Sequence, residues 1–159
     1  ILKRAGVEVE LVGLDRHEVT GAHGITIKMG RTLKSKEDAD AIVLPGGLPG
    51  AENLAASGTL ATVLKEQARA GRIVAAICAA PGLALARHGI LDGRRATCYP
   101  GFEKHFGSTT RYVADPVVVD GNIVTSRGPG TAGLFGLALA RSLVGEAMAE
   151  QLRRGMQYA

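Results

Sequence analysis

The feature that most constrains the fold is a change in chain periodicity at Cys78. Residues 72–77 form a short, almost wholly apolar run, which is the pattern of a buried strand. Residues 79–89 follow at once and are typical of a helix, because Pro81 stands in the first turn and Gly89 at its stop. The sequence therefore predicts a sharp strand-to-helix turn with a thiol at its apex, the cysteine counterpart of a nucleophile elbow.

This position favours a reactive thiol. The start of a helix presents unpaired N–H groups and the positive end of the helix dipole, and both stabilise a thiolate. A buried structural cysteine is the alternative, since cysteine is among the residue types found most often in protein cores. The turn alone leaves both interpretations of Cys78 open.

Strands and helices alternate along the rest of the chain. The predicted strands are residues 7–12, 25–27, 41–44, 72–77, 95–98, 116–119 and 123–125, and the predicted helices are 60–70, 79–89, 131–143 and 147–155. The Asp-Gly-Asn sequence at 120–122 predicts a hairpin between the last two strands. This order is typical of one α/β domain over residues 1–159, with a mostly parallel sheet covered on both faces.

Composition excludes several classes of protein. The chain has 159 residues, of which 46% are hydrophobic and 21% charged, as in an ordinary globular domain. Two cysteines are too few for a disulfide framework, so we expect a reducing, cytoplasmic location. The net charge of +4 is scattered rather than gathered with aromatic residues, which argues against a specific nucleic-acid surface. No apolar run is long enough to predict a membrane span.

The first residues resemble the end of a helix. Residues 1–5 precede Gly6, a typical helix stop, and the first predicted strand comes only after it. A doubly wound domain usually starts with a central strand. We therefore expect that the chain begins inside its first helix and lacks a first strand, either as a fragment or because a partner chain supplies that strand.

A glycine pair follows the predicted strand 41–44. Ligands of open α/β sheets bind outside the carboxyl ends of the strands, where Gly46 and Gly47 stand. Their backbone N–H groups, together with the amide of Ala79, could hold an oxyanion beside Cys78. The thirty-odd residues between the two motifs suit adjacent parallel strands, although a lone Pro-Gly-Gly is usually just a turn. The loop 126–131 reads as a structural loop, with Ser126 or Thr131 as a helix cap.

Together these motifs resemble the ThiJ/PfpI superfamily, in the branch of the parkinsonism-associated protein deglycase and its bacterial relatives. The motifs are Leu-Pro-Gly-Gly (44–47), Gly-Ala-Glu-Asn-Leu (50–54), Ala-Ala-Ile-Cys-Ala-Ala-Pro (75–81), Thr-Cys-Tyr-Pro-Gly (97–101) and Thr-Ser-Arg-Gly-Pro-Gly-Thr (125–131). The resemblance runs from Ala5 to about Gln151. It implies a flavodoxin-like three-layer fold, a homodimer, no cofactor or metal, and an oxidisable cysteine in a shallow pocket.

The resemblance also implies roles for particular residues. Cys78 matches the family's cysteine, and Gly47 and Ala79 match its oxyanion donors. The site residues further implied are Tyr99, Cys98 and Pro100 at the pocket, with Arg4 and His23 as basic residues on the dimer side.

Acid–base partners are the part of the family pattern that this chain does not match. The family's glutamate would precede Ile1, and Glu18 lies between strands and cannot replace it. Tyr99 stands where some members have a histidine. His105 is no match, and His88 is expected to be a surface residue or one that interacts with the helix dipole. A cysteine–histidine dyad is therefore not indicated.

Three functions remain as hypotheses. The first is a cofactor-free glyoxalase or deglycase, in which Cys78 attacks methylglyoxal, glyoxal or an early glycation adduct and a hydroxy acid is released. The second is a redox sensor or stress chaperone that uses oxidation of Cys78 to the sulfinate. The third is a peptidase, which the missing histidine base argues against.

Overall fold

A four-stranded sheet forms the centre of the protein in the computed structural model, which describes residues 1–158. Within these residues the strands are β1 (Val12–Gly13), β2 (Glu18–Thr20), β3 (Thr26–Lys28), β4 (Arg31–Thr32), β5 (Ala41–Leu44), β6 (Ile73–Ile77), β7 (Arg95–Ala96), β8 (Arg111–Tyr112), β9 (Val117–Asp120) and β10 (Ile123–Ser126). The central sheet has the order β5-β6-β10-β9. Strands β5, β6 and β10 are parallel and β9 is antiparallel to β10, so the predicted mostly parallel sheet is confirmed.

Helices cover this sheet. They are α1 (Gly50–Ala56), α2 (Gly58–Arg69), α3 (Ala132–Val144) and α4 (Glu146–Gly155), with 3-10 turns at Leu2–Ala5, Glu103–His105 and Pro129–Thr131 and a π-helical turn at Pro81–Leu85. Gly6 ends the first 3-10 turn with a φ of 79°, as its sequence position predicts. The smaller strands form three two-stranded sheets, β1-β4, β2-β3 and β7-β8, beside the central one.

The two faces of β6 explain the three layers. Val74 and Ala76 point to one face and Ala75 to the other, because side chains alternate along a strand, and all three are fully buried. Leu64 of α2 lies in the core on the first face, and Leu139 of α3 lies on the second. Full burial of each such leucine contributes about 1.5–3 kcal/mol, so helices on both faces stabilise the central strand.

The predicted strand at 7–12 is shorter than expected. Only Val12–Gly13 pairs, in parallel with β4, and the Leu11 carbonyl accepts the Gly30 N–H. Val7 and Val9 are half-buried, whereas Glu8 and Glu10 are exposed. The alternation of buried and exposed side chains is therefore present, although these residues form no strand hydrogen bonds. A strand needs a hydrogen-bonding neighbour as well as a pattern.

The helix expected at 79–89 is also different. The regular part is the five-residue π-helical turn Pro81–Leu85, in which the Ala86 N–H reaches the Pro81 carbonyl five residues back. A Cβ on Gly82 would lie 2.5 Å from the Phe102 carbonyl oxygen, so this turn is packed tightly against the following loop. Gly89 has a φ of 71°, which agrees with its predicted role as a stop.

Candidate active site

Cys78 has a backbone conformation that is uncommon for any residue other than glycine. Its φ is 66°, in the left-handed region, at the step from β6 into the π-helical turn. The Cys78 N–H donates to the Ser126 carbonyl (2.9 Å), and the Cys78 carbonyl accepts the Tyr99 N–H (2.8 Å). A left-handed conformation costs about 1–2 kcal/mol in an L-residue, so these hydrogen bonds help to hold Cys78 in a strained turn.

Gly46 meets Cys78 directly. Leu44 of β5 pairs with Ala76 of β6, so both strands end at the same edge of the sheet. A Cβ on Gly46 would lie 2.5 Å from the Cys78 Cβ and 3.1 Å from the Ala79 nitrogen. Only a residue without a side chain allows this approach, which brings the glycine loop against the thiol-bearing turn.

Two backbone amides at this junction have no protein acceptor among the described residues. Within residues 1–158, neither the Gly47 N–H nor the Ala79 N–H donates to a protein acceptor. Gly47 is exposed with a φ of 85°, whereas Ala79 is buried. Free amides beside a nucleophile can stabilise a developing oxyanion. Their role as donors, and that of Gly46, stays a prediction.

Tyr99 is exposed and hydrogen-bonded to Cys78 through its backbone, and its place at the pocket, like that of Pro100, stays a prediction. Its side chain is 46% exposed, and its ring contacts Phe102 edge-on with centroids 6.3 Å apart. Its other neighbour is Gly128, where a Cβ would lie 3.1 Å from Tyr99 Cδ2. Pro100, which follows it, is also exposed.

Cys98 is fully buried and therefore offers no surface to an open pocket. Burial raises the pKa of Cys98 to about 12, and the charges of Glu103 and Cys78 act in the same direction. Cys98 is thus held as a neutral thiol near physiological pH. Cys78 is half-buried and not disulfide-bonded, so the two cysteines occupy different environments.

His88 is not the surface residue expected from the sequence. It is 8% exposed, and its Nε2 lies 3.3 Å from the Leu54 carbonyl of α1. Burial lowers the pKa of His88, the charges of Lys65 and Arg87 lower it further, and the bond to Leu54 partly opposes them. His88 lies against α1, a helix that the sequence did not predict.

Three other residues considered in the sequence, His105, Arg4 and His23, are all exposed. His105 is exposed, with its ring 6.1 Å from that of Phe102. Arg4 is exposed on the first 3-10 turn, and His23 is exposed in the β2–β3 turn. Within residues 1–158, no histidine ring nitrogen forms a hydrogen bond with Cys78. The proposed place of Arg4 and His23 at a dimer-side pocket stays a prediction.

Sequence analysis missed the part that the loop 126–131 plays at this site. Ser126 is fully buried, its carbonyl accepts the Cys78 N–H, and its hydroxyl lies 2.6 Å from Thr131 Oγ1. The available signal was the position of Ser126 at the end of a strand that can pair with the Cys78 strand. Pairing of β10 with β6 turns this loop into a neighbour of the thiol.

A groove of about 650 Å³ lies between α1 and the segment after Cys78. Its lining includes Glu52, Asn53, Gly82, Leu83, Arg87 and His105, but not Cys78. We place the chemistry at Cys78 because the strained turn, the close glycine and the free amides are there. Among residues 1–158 no cluster of three or more His, Cys, Asp or Glu side chains could hold a metal ion. In that same range no helix has the length and apolarity needed to cross a membrane.

Comparison with known proteins identifies relatives of this chain. Protein DJ-1 homolog B of Arabidopsis thaliana is 39% identical over 155 residues, covering 96% of this chain but only 35% of the relative's length. The glutathione-independent glyoxalase DJR-1.2 of Caenorhabditis elegans is 36% identical over 148 residues, covering 91% of this chain and 78% of the relative. The crystal structure of Drosophila melanogaster DJ-1beta superposes with a TM-score of 0.93 at 37% identity, covering 99% and 87% of the two chains.

The family profile described as DJ-1/PfpI matches residues 1–142, which include Cys78 and the whole loop 126–131. The relatives cover nearly all of the described chain, and the superposed fold has the flavodoxin-like three-layer arrangement expected from the sequence. On both grounds, this chain belongs to the DJ-1/PfpI family.

Proposed function

We propose that the protein is a cofactor-independent cysteine enzyme that converts reactive aldehydes, or their early glycation adducts, to hydroxy acids. The observation that carries this proposal is the geometry at Cys78, whose strained turn lies beside the free amides of Gly47 and Ala79. The name of the glyoxalase relative from Caenorhabditis elegans supports the same class of substrate.

The first step is addition to the aldehyde. The Cys78 thiolate attacks the aldehyde carbon of methylglyoxal, a carbon–sulfur bond forms, and the carbonyl π electrons move onto oxygen. The amides of Gly47 and Ala79 would stabilise this oxyanion. Protonation of the oxyanion gives a hemithioacetal.

The second step is an internal redox rearrangement. A proton leaves the carbon bonded to sulfur and is returned to the neighbouring carbon, while the hemithioacetal hydroxyl proton passes to the ketone oxygen. The first carbon is thereby oxidised to a thioester and the second is reduced to an alcohol. Water then hydrolyses the thioester, which releases lactate and regenerates the thiol. The net change is addition of one water to methylglyoxal.

Moving that proton needs an acid–base group. Within residues 1–158 no carboxylate is hydrogen-bonded to Cys78. General acid–base catalysis contributes about 10²–10⁴-fold. We therefore expect residues 1–159 to form the adduct but to turn over slowly.

We also propose a homodimer. The β2–β3 hairpin stands out from the body and exposes Val19, Ile25 and Ile27, with exposed fractions of 45%, 69% and 47%. His23 lies in its turn. Exposed apolar side chains on one small element support an interface between copies. Light scattering of the purified chain tests this: a dimer mass is expected, and a monomer at high concentration would contradict it.

Lactate formation tests the enzymatic proposal. Methylglyoxal is incubated with the parent protein and with its Cys78→Ser and Cys98→Ser variants. We expect the Cys98→Ser variant to make lactate like the parent and the Cys78→Ser variant to make none. If the parent makes no lactate while peroxide converts Cys78 to the sulfinate, the redox-sensor hypothesis replaces this proposal.

A further inference from the structure

Cys78 and four other residues close a ring of contacts. Cys78 donates its N–H to the Ser126 carbonyl (2.9 Å), and Ser126 Oγ lies 2.6 Å from Thr131 Oγ1. Thr131 Oγ1 accepts the Gly128 N–H (3.1 Å), and Gly128 packs on the Tyr99 ring. The Tyr99 N–H donates to the Cys78 carbonyl (2.8 Å), and this bond closes the ring of contacts.

We propose that Ser126 and Thr131 are positioning residues for the Cys78 thiol. They act through the backbone of Ser126 and through Gly128, and neither is proposed to touch a substrate. The ring holds both peptide groups of Cys78, and so it fixes where Sγ stands relative to the free amides of Gly47 and Ala79.

The hydroxyl protons can be assigned consistently within this ring. The Ser126 hydroxyl donates to the Pro116 carbonyl (2.9 Å). The Thr131 hydroxyl then has two acceptors in reach, Ser126 Oγ and the Gly128 carbonyl (2.9 Å), while its oxygen accepts the Gly128 N–H. The two hydroxyl groups and the Gly128 N–H therefore all have partners, as a buried network requires.

Thr131 is the member that joins the loop to the strand. Gly128 is buried, so removal of the Thr131 oxygen leaves a buried N–H without an acceptor. The loop can satisfy that N–H only by moving, and its movement releases the contact between Gly128 and Tyr99. The left-handed backbone of Cys78 then loses part of what holds it in place, because Tyr99 donates to its carbonyl.

Thr131→Val tests this proposal, because valine keeps the shape and removes the hydroxyl. The measurement is the rate of alkylation of Cys78 by iodoacetamide across pH, followed by mass spectrometry of the Cys78 peptide. We expect alkylation about tenfold slower near neutral pH, with the rate profile displaced to higher pH, since small displacements from a productive geometry have large effects on rate. Thr131→Ser keeps the hydroxyl and should restore the parent rate and profile.

Thr110→Val is the matched control. Thr110 is also half-buried and also bonds a backbone carbonyl, that of Leu91 at 2.8 Å, but it lies outside the ring. This variant should lose thermal stability and leave the alkylation of Cys78 unchanged. Parent-like alkylation and pH profile in Thr131→Val, or equal slowing in Thr110→Val, would overturn the proposal.

Gly128→Ala tests the same set of contacts through Tyr99 rather than through Thr131. Its backbone is extended, with a φ of 173°, so alanine is allowed, but the new Cβ lies 3.1 Å from Tyr99 Cδ2 and displaces that ring. We expect slower alkylation of Cys78 although the Ser126 and Thr131 hydroxyls are still present. A parent-like rate would refute the proposal that these contacts position Cys78. This variant decides the matter if Thr131→Val does not fold. Alkylation needs no aldehyde, so this result is independent of the proposed enzymatic function.

Discussion

Gly46 and Cys78 are in direct contact where β5 and β6 end, so close that a Cβ on Gly46 would lie 2.5 Å from the Cys78 Cβ. The same Cβ would lie 2.8 Å from the Ile77 carbonyl oxygen, so the backbone leaves it no alternative space. The contact joins the glycine loop and the thiol-bearing turn into one rigid unit.

Gly46→Ala should therefore disturb both fold and site. We expect a loss of about 1–3 kcal/mol in the free energy of unfolding, as for other overpacked positions. Alkylation of Cys78 should slow as the two segments separate. Chemical denaturation and iodoacetamide kinetics measure the two effects.

Gly58→Ala is the control for that substitution. A Cβ at Gly58, the first residue of α2, meets no atom within 4 Å, and so it contacts neither Cys78 nor its turn. It should leave alkylation unchanged and should not destabilise the protein. If Gly46→Ala matches this control in both measurements, the close contact does not constrain the site.

The two cysteines should react very differently with alkylating reagents. Burial holds the pKa of Cys98 at about 12, so its thiolate is scarce near neutral pH and its sulfur is shielded from solvent. Cys78 is half-buried and not shielded in the same way, so it should be alkylated first in the folded protein. Peptide mass spectrometry after timed iodoacetamide exposure measures both sites, and faster labelling of Cys98 would reverse our assignment of the nucleophile.

His88 should make the protein less stable as the solution becomes acidic. Burial lowers the pKa of His88 in the folded protein, while in the unfolded chain it is about 6.5. As pH falls below that value the unfolded chain binds a proton that the folded protein does not, so the free energy of unfolding decreases. His88→Gln should flatten this decrease between pH 7 and 5.5 in urea titrations.

His105→Gln provides the comparison for His88, because His105 is exposed. It should keep the parent pH dependence of unfolding. An equal flattening in both variants would show that burial of His88 is not the cause.

Local patterns predicted the elements that depend on neighbouring residues. The strand 41–44 and the hairpin at 120–122 are present as predicted, because an apolar run and a turn sequence are sufficient signals. The turn at Cys78 was predicted for the same reason. The shortened ladder at 7–12 shows the limit, since pairing depends on a partner strand and not on the pattern alone.

Contacts between distant segments were not predictable in this way. The burial of His88 depends on α1, whose alternation of small and polar residues gave no clear helical signal. The bond between Ser126 and Thr131 depends on how the loop 126–131 folds after β10 joins β6. The sequence motif 125–131 carried the family resemblance, but only the geometry shows that this loop reaches Cys78.

Direct observation of the aldehyde adduct tests the central claim most closely. Methylglyoxal labelled with ¹³C at its aldehyde carbon is added to the parent protein and to the Cys98→Ser and Cys78→Ser variants, and ¹³C NMR follows that carbon. The account predicts a protein-bound hemithioacetal resonance in the parent and in Cys98→Ser, and none in Cys78→Ser. A bound hemithioacetal that persists in Cys78→Ser, or that disappears only in Cys98→Ser, would contradict it.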